Sequence, residues 1–273
     1  MRKVAILYHA SCPDGFGAAW AAWRIFGRRA EYIPVRHQAS PPKGLENKDV
    51  YLFDFAYPVK TMRELAAYTH HLVVLDHHLS AEAATKSAPE YWYNLNHSGA
   101  VLAWQYFFPK KPIPRLLRHI EDIDLWRFKL PGTRAIAAAL ELFNLTFPVW
   151  DKIARDLENQ KIRKSYIAKG DIILSYEDRL IRSIGERAYK GTIGGKKCLF
   201  VNSPLLESEV GHMLVKKRRT PIALVWHYDG GGVKCSLRSQ GTTDVSKLAE
   251  KFGGGGQKHA AGFYIKRKLR LPS

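Results

Sequence analysis

The sequence has few cysteines and no long hydrophobic run, and both shortages narrow the classes of protein that it can encode. Its three cysteines lie far apart among 273 residues, without a CxxC pair. Neither a disulfide framework nor a cysteine-rich zinc site is therefore expected. No stretch reaches the roughly 18 consecutive apolar residues that a membrane helix needs, and the N-terminus becomes polar too early for a signal peptide. We expect a cytoplasmic protein without a membrane partner.

Acidic residues are also in short supply. The chain has 25 Asp and Glu against 43 Lys and Arg, which gives a formal net charge of +18. Residues 161–273 contribute +14 of this charge. Such a basic C-terminal part is typical of proteins that bind a polyanion such as nucleic acid or a nucleotide. A basic surface that only keeps the protein in solution explains the charge equally well.

The first 100 residues alternate short apolar runs with helical patterns, as parallel α/β sheets do. Helical periodicity is clear in GFGAAWAAWRIF and in VKTMRELAAYT, which follows Pro58. The five expected strands read KVAILYH, AEYIPV, VYLFDF, HLVVLD and YWYNL. We predict an α/β fold with a doubly wound parallel sheet.

From Pro112 onward the pattern is mostly helical until Gly191, Gly194 and Gly195 interrupt it. Shorter strand and helix patterns follow, as in a small α+β domain. We predict a first domain over residues 1–130, a helical closing segment and connector over 131–190, and a second domain over 191–273.

Acids and histidines follow three of the expected strands. They are His9 and Asp14, then Asp54, and then Asp76, His77 and His78. Because the carboxyl ends of parallel strands lie at one edge of a sheet, these side chains can converge there. Carboxylate oxygen and imidazole nitrogen suit Mn²⁺, Mg²⁺ or a similar cation. One such aspartate alone is more often a helix cap, but several at one edge predict a metal site.

The motifs, taken together and in order, resemble those of the DHH phosphoesterase superfamily. DHH at 76–78 follows HASCPDG and YLFDF and precedes IEDIDLW. Near the C-terminus, FGGGGQKHAAGF resembles the glycine-rich motif of the DHH-associated domain found in RecJ-type exonucleases and small oligoribonucleases. The resemblance covers essentially the whole chain. It implies a catalytic first domain with two divalent ions, Mn²⁺ or alternatively Mg²⁺ or Co²⁺, and a C-terminal domain that holds the substrate.

The resemblance also implies roles for individual residues. Asp76 would orient the neighbouring histidines, and His78 would face the phosphate or the leaving group. Asp122 is preferred to Asp124 as the fourth-motif ligand, with Trp126 packing inward. The expected metal ligands are His9, Asp14, Asp54, His77 and Asp122, of which Asp54 would bridge the two ions. From the residues themselves, the run Gly253 to Gly256 can bring backbone N–H groups close to an anion, and Arg238 can bind a phosphate through two N–H groups. The expected substrate-binding residues are Arg238, Gly254, Gly255, Gly256 and His259.

Two positions depart from the family pattern. The first motif usually supplies two aspartates, whereas here only Asp14 is present and Ser11, Cys12 or Phe16 stands where the second would lie. Cys12 is then either an ordinary buried thiol or a sulfur ligand. Gln257 replaces the usual histidine after the glycines, and His259 follows two residues later.

The function implied is hydrolysis of phosphodiester bonds in short oligonucleotides or nucleotides by metal-activated water. Three alternatives stay open. They are a RecJ-like single-strand exonuclease, a cyclic-dinucleotide or nucleotide phosphatase, and a catalytically silent nucleic-acid-binding protein. The sequence predicts no protein partner, and it leaves a homodimer open.

Overall fold

The computed structural model describes residues 3–36 and 39–266. The chain divides between Ile173 and Leu174 into two compact units. None of the helices in the described residues combines the length and the hydrophobicity that crossing a bilayer requires.

A five-stranded sheet forms the centre of the first unit. Its strands are β1 (Val4–His9), β2 (Ala30–Val35), β3 (Asp49–Phe53), β4 (His71–Asp76) and β5 (Glu90–Tyr93). They pair in parallel in the order β2-β1-β3-β4-β5. The five strands predicted from the apolar runs are confirmed. The strand order changes direction between β1 and β3, and in such sheets ligands bind beside the carboxyl ends of the strands at this point.

Helices cover both faces of the sheet, which confirms the doubly wound architecture. The helices that begin in this unit are α1 (Pro13–Phe26), α2 (Val59–Tyr68), α3 (Glu82–Thr85), α4 (Gly99–Phe107), α5 (Arg115–Asp124), α6 (Thr133–Leu140), α7 (Phe147–Glu158) and α8 (Gln160–Glu186). One core cluster contains α1 and α4, whose Trp20 and Trp104 rings stack with centroids 5.6 Å apart. Met62 and Leu65 of α2 belong to the cluster on the other face.

The small residues of α1 explain its close packing against α4. A Cβ atom at Gly17 would lie 2.8 Å from the Cβ of Ala100, so a larger residue would force the helices apart. This close approach brings the N-termini of α1 and α4 together beside the carboxyl ends of β1 and β3.

The segment 131–190 is helical through α8, as the sequence predicts, but its last residues already belong to a strand of the second unit. The division between the two units falls within α8, and a strand, β6 (Tyr189–Ile193), follows it. Gly194 and Gly195, at φ +55° and +75°, form the turn that leads to the next strand. Because only glycine adopts such backbone freely, the glycines mark a hairpin turn. The domain boundaries at residues 130 and 190 stay predictions.

The second unit is an α+β fold, as predicted. After β6 it contains β7 (Lys196–Asn202), α9 (Glu207–Arg218), β8 (Ile222–Tyr228), β9 (Gly232–Ser239), α10 (Ser246–Glu250), β10 (Gly255–Gln257) and β11 (Ala260–Lys266). The strands form one sheet in the order β10-β11-β9-β8-β7-β6; up to Lys266, where the described residues end, β7 and β8 pair in parallel and the other neighbours pair antiparallel. Separate apolar clusters fill its two faces.

Candidate metal centre and substrate-binding residues

Asp14 lies in the first turn of α1 and is almost completely buried. Its carboxylate accepts hydrogen bonds from the backbone amides of Gly99 (2.6 Å) and Ala100 (3.0 Å) at the start of α4. The N-termini of two helices therefore surround this side chain, and their dipoles favour a negative charge there. The start of α4 thus holds the buried Asp14 carboxylate beside the carboxyl ends of β1 and β3.

Asp54 follows β3 directly and occupies the middle of the cluster. Its φ of +64° is unusual for a non-glycine residue, and backbone of this kind is often found at functional sites. One carboxylate oxygen lies 3.4 Å from Nδ1 of His9, and the other lies 3.2 Å from Nε2 of His77. A Cβ atom at Gly99 would lie only 2.8 Å from the Cβ of Asp54, so this glycine makes room for the carboxylate.

The DHH residues at the end of β4 have different surroundings. Asp76 is fully buried, and one of its oxygens accepts from the His77 amide (2.7 Å) and lies 2.8 Å from Nδ1 of His78. Its other oxygen accepts from the Thr85 hydroxyl (3.2 Å). The ring of His77 is directed toward Asp54 instead. Asp76 therefore fixes the ring of His78 and holds His77 only through the backbone.

The structure places Asp124, and not Asp122, in the cluster. A carboxylate oxygen of Asp124 lies 3.4 Å from Nε2 of His77. Residues two apart on an α-helix point in very different directions, because each residue turns the helix by about 100°. We therefore correct the preference for Asp122 to Asp124.

Asp122 has a structural role of its own. It is buried, and its carboxylate accepts from the Thr133 hydroxyl (2.6 Å) and from the amides of Lys129 (2.8 Å) and Leu130 (3.0 Å). Asp122 thus anchors the loop after α5.

The expectation that Trp126 packs inward is also wrong, because this residue is 64% exposed.

The carboxylates of the cluster crowd one another, and a bound cation would offset their negative charge. Burial, together with the negative charge of Asp54, raises the pKa of Asp14 well above its usual range and also raises that of Asp124. For Asp54, burial is outweighed by hydrogen bonds to His77 and His9, which lower its pKa. The hydrogen bond to Asp76 raises the pKa of His78 to about 9. Burial, with Asp54 and Asp14, raises the pKa of the Cys12 thiol.

Three sets of side chains bring donor atoms close enough to hold a cation. They are His9, Cys12 and Asp54; Asp54, His77 and His78; and Asp14, His77 and Asp124. Within each set all donor atoms lie within 4.8 Å of one another. Oxygen and nitrogen donors with an excess of negative charge fit divalent cations. The residues present therefore fit the kind of metal centre that the resemblance implies.

Arg238, the predicted substrate-binding arginine, lies on β9 in the second unit and is half-buried. Its guanidinium donates to the hydroxyl of Ser208 (2.6 Å) and to the carbonyl of Leu237 (2.8 Å). The bond to Ser208 holds the side chain against α9 and leaves other N–H groups of the fork for a ligand.

The glycines at 253, 254 and 256 serve mainly to let backbone segments pack closely. Gly253 and Gly254 donate their amides to the carbonyls of Glu250 and Ala249, so these groups do not cradle an anion as expected. A Cβ atom at Gly254 would lie 2.1 Å from the carbonyl oxygen of Gly262. Gly256 has a φ of +142°, and a Cβ atom there would lie 2.6 Å from the carbonyl oxygen of Ala260. The run therefore lets β10 approach β11 closely.

Three of the predicted substrate-binding residues in this region are exposed to solvent, namely Gly255, Gly256 and His259. Gly255 is exposed, with nothing within 4 Å of where its Cβ would lie. His259 is also exposed, and its Nδ1 lies 3.2 Å from the hydroxyl of Ser239. Of the predicted glycines, Gly255 thus offers the most open approach for a ligand.

The sequence did not predict that the start of α4 belongs to the site. Ser98 caps this helix by accepting from the amide of Val101 (3.4 Å), and Gly99 and Ala100 bind Asp14. A serine followed by glycine before an apolar helix is a recognisable helix start. Its contact with Asp14 lies 85 residues away in sequence, so no local pattern could predict it.

Two comparisons of sequence place the chain among known proteins. The model of the DHHA1 domain matches residues 206–273. An uncharacterized protein of Acanthamoeba polyphaga mimivirus is 31% identical over 292 aligned positions, which include 94% of this chain. The chain spans 66% of that viral protein's length.

Several solved structures share the fold. RecJ from Thermus thermophilus, in complex with Mn²⁺, has a TM-score of 0.58 at 14% identity and covers 97% of this chain and 50% of its own. An exopolyphosphatase-related protein from Bacteroides fragilis has a TM-score of 0.55 at 13% identity, covering 98% and 88%. A pGpG-specific phosphodiesterase from Vibrio cholerae has a TM-score of 0.52 at 14% identity, covering 97% and 94%.

The fold and the cluster define a protein with a parallel α/β unit, a C-terminal unit that contains a DHHA1 domain, and acids and histidines gathered at the end of the first sheet. Residues 206–273 are a DHHA1 domain, and the chain as a whole shares its fold with these solved structures.

Proposed function

We propose that this protein is a metal-dependent phosphodiesterase that hydrolyses short oligonucleotides or nucleotides. The observation that supports it most is the convergence of His9, Asp14, Asp54, His77 and Asp124 where β1, β3, β4 and α5 end. A binding protein has no use for buried carboxylates that crowd one another, because burying charge is costly. The Vibrio protein that shares this fold is named as a phosphodiesterase, which is a reaction of the same chemical kind.

In this proposal the five clustered side chains hold divalent cations, with Mn²⁺ preferred because carboxylates, which suit Mn²⁺, outnumber the imidazoles. Bound cations would activate water and neutralise charge on the phosphoryl oxygens. His78, partly exposed and held by Asp76, faces the phosphate. The hydrogen bond to Asp76 favours the protonated ring, so His78 would be the group that donates a proton to the oxygen of the leaving group.

We assign substrate binding to the C-terminal unit, with Arg238 as the group that binds a phosphate. A guanidinium presents paired N–H donors that match two phosphate oxygens. Gly255 and His259 are exposed near the end of β9, where β11 pairs with it. They are proposed as further contacts of the substrate.

Arg238→Ala is expected to lower kcat/KM by about tenfold or more, because a charge-assisted hydrogen bond to phosphate contributes roughly 1.5 to 3 kcal/mol. Metal content should stay unchanged, since Arg238 is not one of the clustered donor residues. Lys234→Ala is the matched control, because it removes a positive charge from the same face of β9. Steady-state kinetics and metal analysis of both variants test this. An equal loss in the two variants would show that general charge, and not a phosphate contact at Arg238, is responsible.

The test of the function itself is an assay with Mn²⁺ on labelled RNA and DNA of two, five and about 24 nucleotides at two salt concentrations. If substrate binding is confined to Arg238 and the nearby exposed groups, kcat/KM should saturate by about five nucleotides and depend weakly on salt. Chelation of the metal should abolish turnover.

Each other result identifies an alternative. A marked preference for the longest strand that disappears at high salt would contradict the short-substrate proposal and favour a RecJ-like exonuclease that uses the basic C-terminal part as a track. Binding without hydrolysis of any substrate, in the presence of Mn²⁺, would favour the silent nucleic-acid-binding protein.

A further inference from the structure

Cys12 lies in the metal cluster and is unlike the other two cysteines. It lies three residues after the end of β1 and directly precedes α1, and the backbone just before it, at Ser11, has a φ of +56°. This bend turns the chain back beside the end of β1. Cys198 and Cys235 are buried in an apolar core of the second unit, whereas Cys12 is only half-buried.

The thiol of Cys12 is next to two other potential ligands. Its Sγ, one nitrogen of His9 and one oxygen of Asp54 all lie within 4.8 Å of one another. Nδ1 of His9 and Oδ2 of Asp54 are 3.4 Å apart. Three donors at the corners of so small a triangle can contact one cation, since metal–ligand bonds are about 2.0 to 2.3 Å long.

Other roles for Cys12 account less well for its position. It is the N-cap residue of α1, where the amides of Gly15 and Asp14 face its sulfur and favour a thiolate, although no capping hydrogen bond of standard geometry forms. It belongs to none of the hydrophobic core clusters of the described residues. It also stands in the first motif, where the second aspartate of the family pattern is missing.

We propose that Cys12 is a sulfur ligand that, together with His9 and Asp54, binds one divalent cation. Coordination would deprotonate the thiol and release the proton to solvent. Thiolate is a soft ligand, so this position would favour Zn²⁺ or Co²⁺ over Mg²⁺ and Mn²⁺. Asp14, His77 and Asp124 offer no sulfur, so the two halves of the centre would differ in metal preference. This inference rests on the proposed function, because it concerns the same metal centre.

The test is a titration of the metal-free full chain with Co²⁺, followed by absorption spectroscopy. A sulfur–cobalt bond gives an intense near-ultraviolet charge-transfer band, which oxygen and nitrogen ligands do not give. The wild type should show this band, and so should Cys198→Ala, the matched control in the second unit. Cys12→Ser and Cys12→Asp should lack it. Cys12→Ser should also bind Co²⁺ at least about tenfold more weakly at one position, and Cys12→Asp should bind Mn²⁺ more tightly than the wild type.

Alkylation of Cys12 is a second measurement of metal binding that does not depend on activity. Co²⁺ or Zn²⁺ should protect Cys12 from N-ethylmaleimide, as measured by mass spectrometry of the peptide that contains it. Co²⁺ binding without the charge-transfer band and without protection would overturn the sulfur ligand and leave the proposed function intact. No binding of any divalent cation would overturn both. A band that persists in Cys12→Ser would also contradict the assignment.

Discussion

Asp54→Asn is expected to lower kcat/KM by about a thousandfold or more while the protein stays folded. Asp54 is the only carboxylate in contact with both His9 and His77 among the described residues, so it would connect the two halves of a metal centre. Its amide replacement has the same shape but one ligand oxygen fewer and no charge. Loss of metal activation removes several kcal/mol of transition-state stabilisation, and each 1.36 kcal/mol is a factor of ten in rate.

The matched control for this experiment is Asp49→Asn. Asp49 begins β3, whereas Asp54 follows its end, and Asp49 interacts with His70, with an Oδ1–Nδ1 distance of 2.6 Å, away from the cluster. Circular dichroism, metal content and steady-state kinetics should show normal values for Asp49→Asn. Near-normal turnover of Asp54→Asn at saturating Mn²⁺ would refute the assignment of the metal centre.

The second large effect is expected from a pair of variants on α5. Asp124→Asn should lower kcat/KM by about a hundredfold or more and weaken metal binding, because Asp124 is the α5 carboxylate that lies beside His77 and is proposed to hold a cation. The metal-free variant should be at least as stable as the wild type, since a carboxylate whose pKa is raised by burial is costly to keep charged.

Asp122→Asn should give the opposite result. An asparagine NH₂ would face an amide or hydroxyl that now donates to Asp122, at a cost of roughly 1 to 3 kcal/mol in the free energy of unfolding. Metal affinity should change little. Thermal unfolding with and without Mn²⁺, together with kinetics, separates the two variants. Loss of metal binding in Asp122→Asn, with Asp124→Asn unaffected, would restore the original preference for Asp122.

The pair also illustrates where a sequence motif stops being informative. The run IEDIDLW offers two aspartates, and both are compatible with the family pattern. The choice depends on which way α5 is rotated, and this rotation is fixed by contacts with residues distant in sequence. Leu116, Leu117 and Ile120 of α5 are buried in the same core as α1 and α4, which directs Asp124 toward His77.

The glycine run shows the same limit in the second unit. Four consecutive glycines are compatible with an anion cradle, with a flexible turn and with close packing of strands. The amides of Gly253 and Gly254 bind carbonyls at the end of α10, and Gly254 packs against Gly262 of β11. Only the positions of α10 and β11 decide which N–H groups remain for a ligand.

The sequence by itself determined the two-unit α/β and α+β architecture and placed His9, Asp54 and His77 at one edge of the sheet. It could do so because apolar runs of strand length are local, and because parallel strands necessarily end at the same edge. Tertiary structure alone decided that Asp124 joins the cluster, that α4 binds Asp14, and that Cys12 lies beside His9 and Asp54. The physical reason is that these contacts depend on helix rotation and on the close approach of α1 to α4, which follow from packing between residues far apart in the chain.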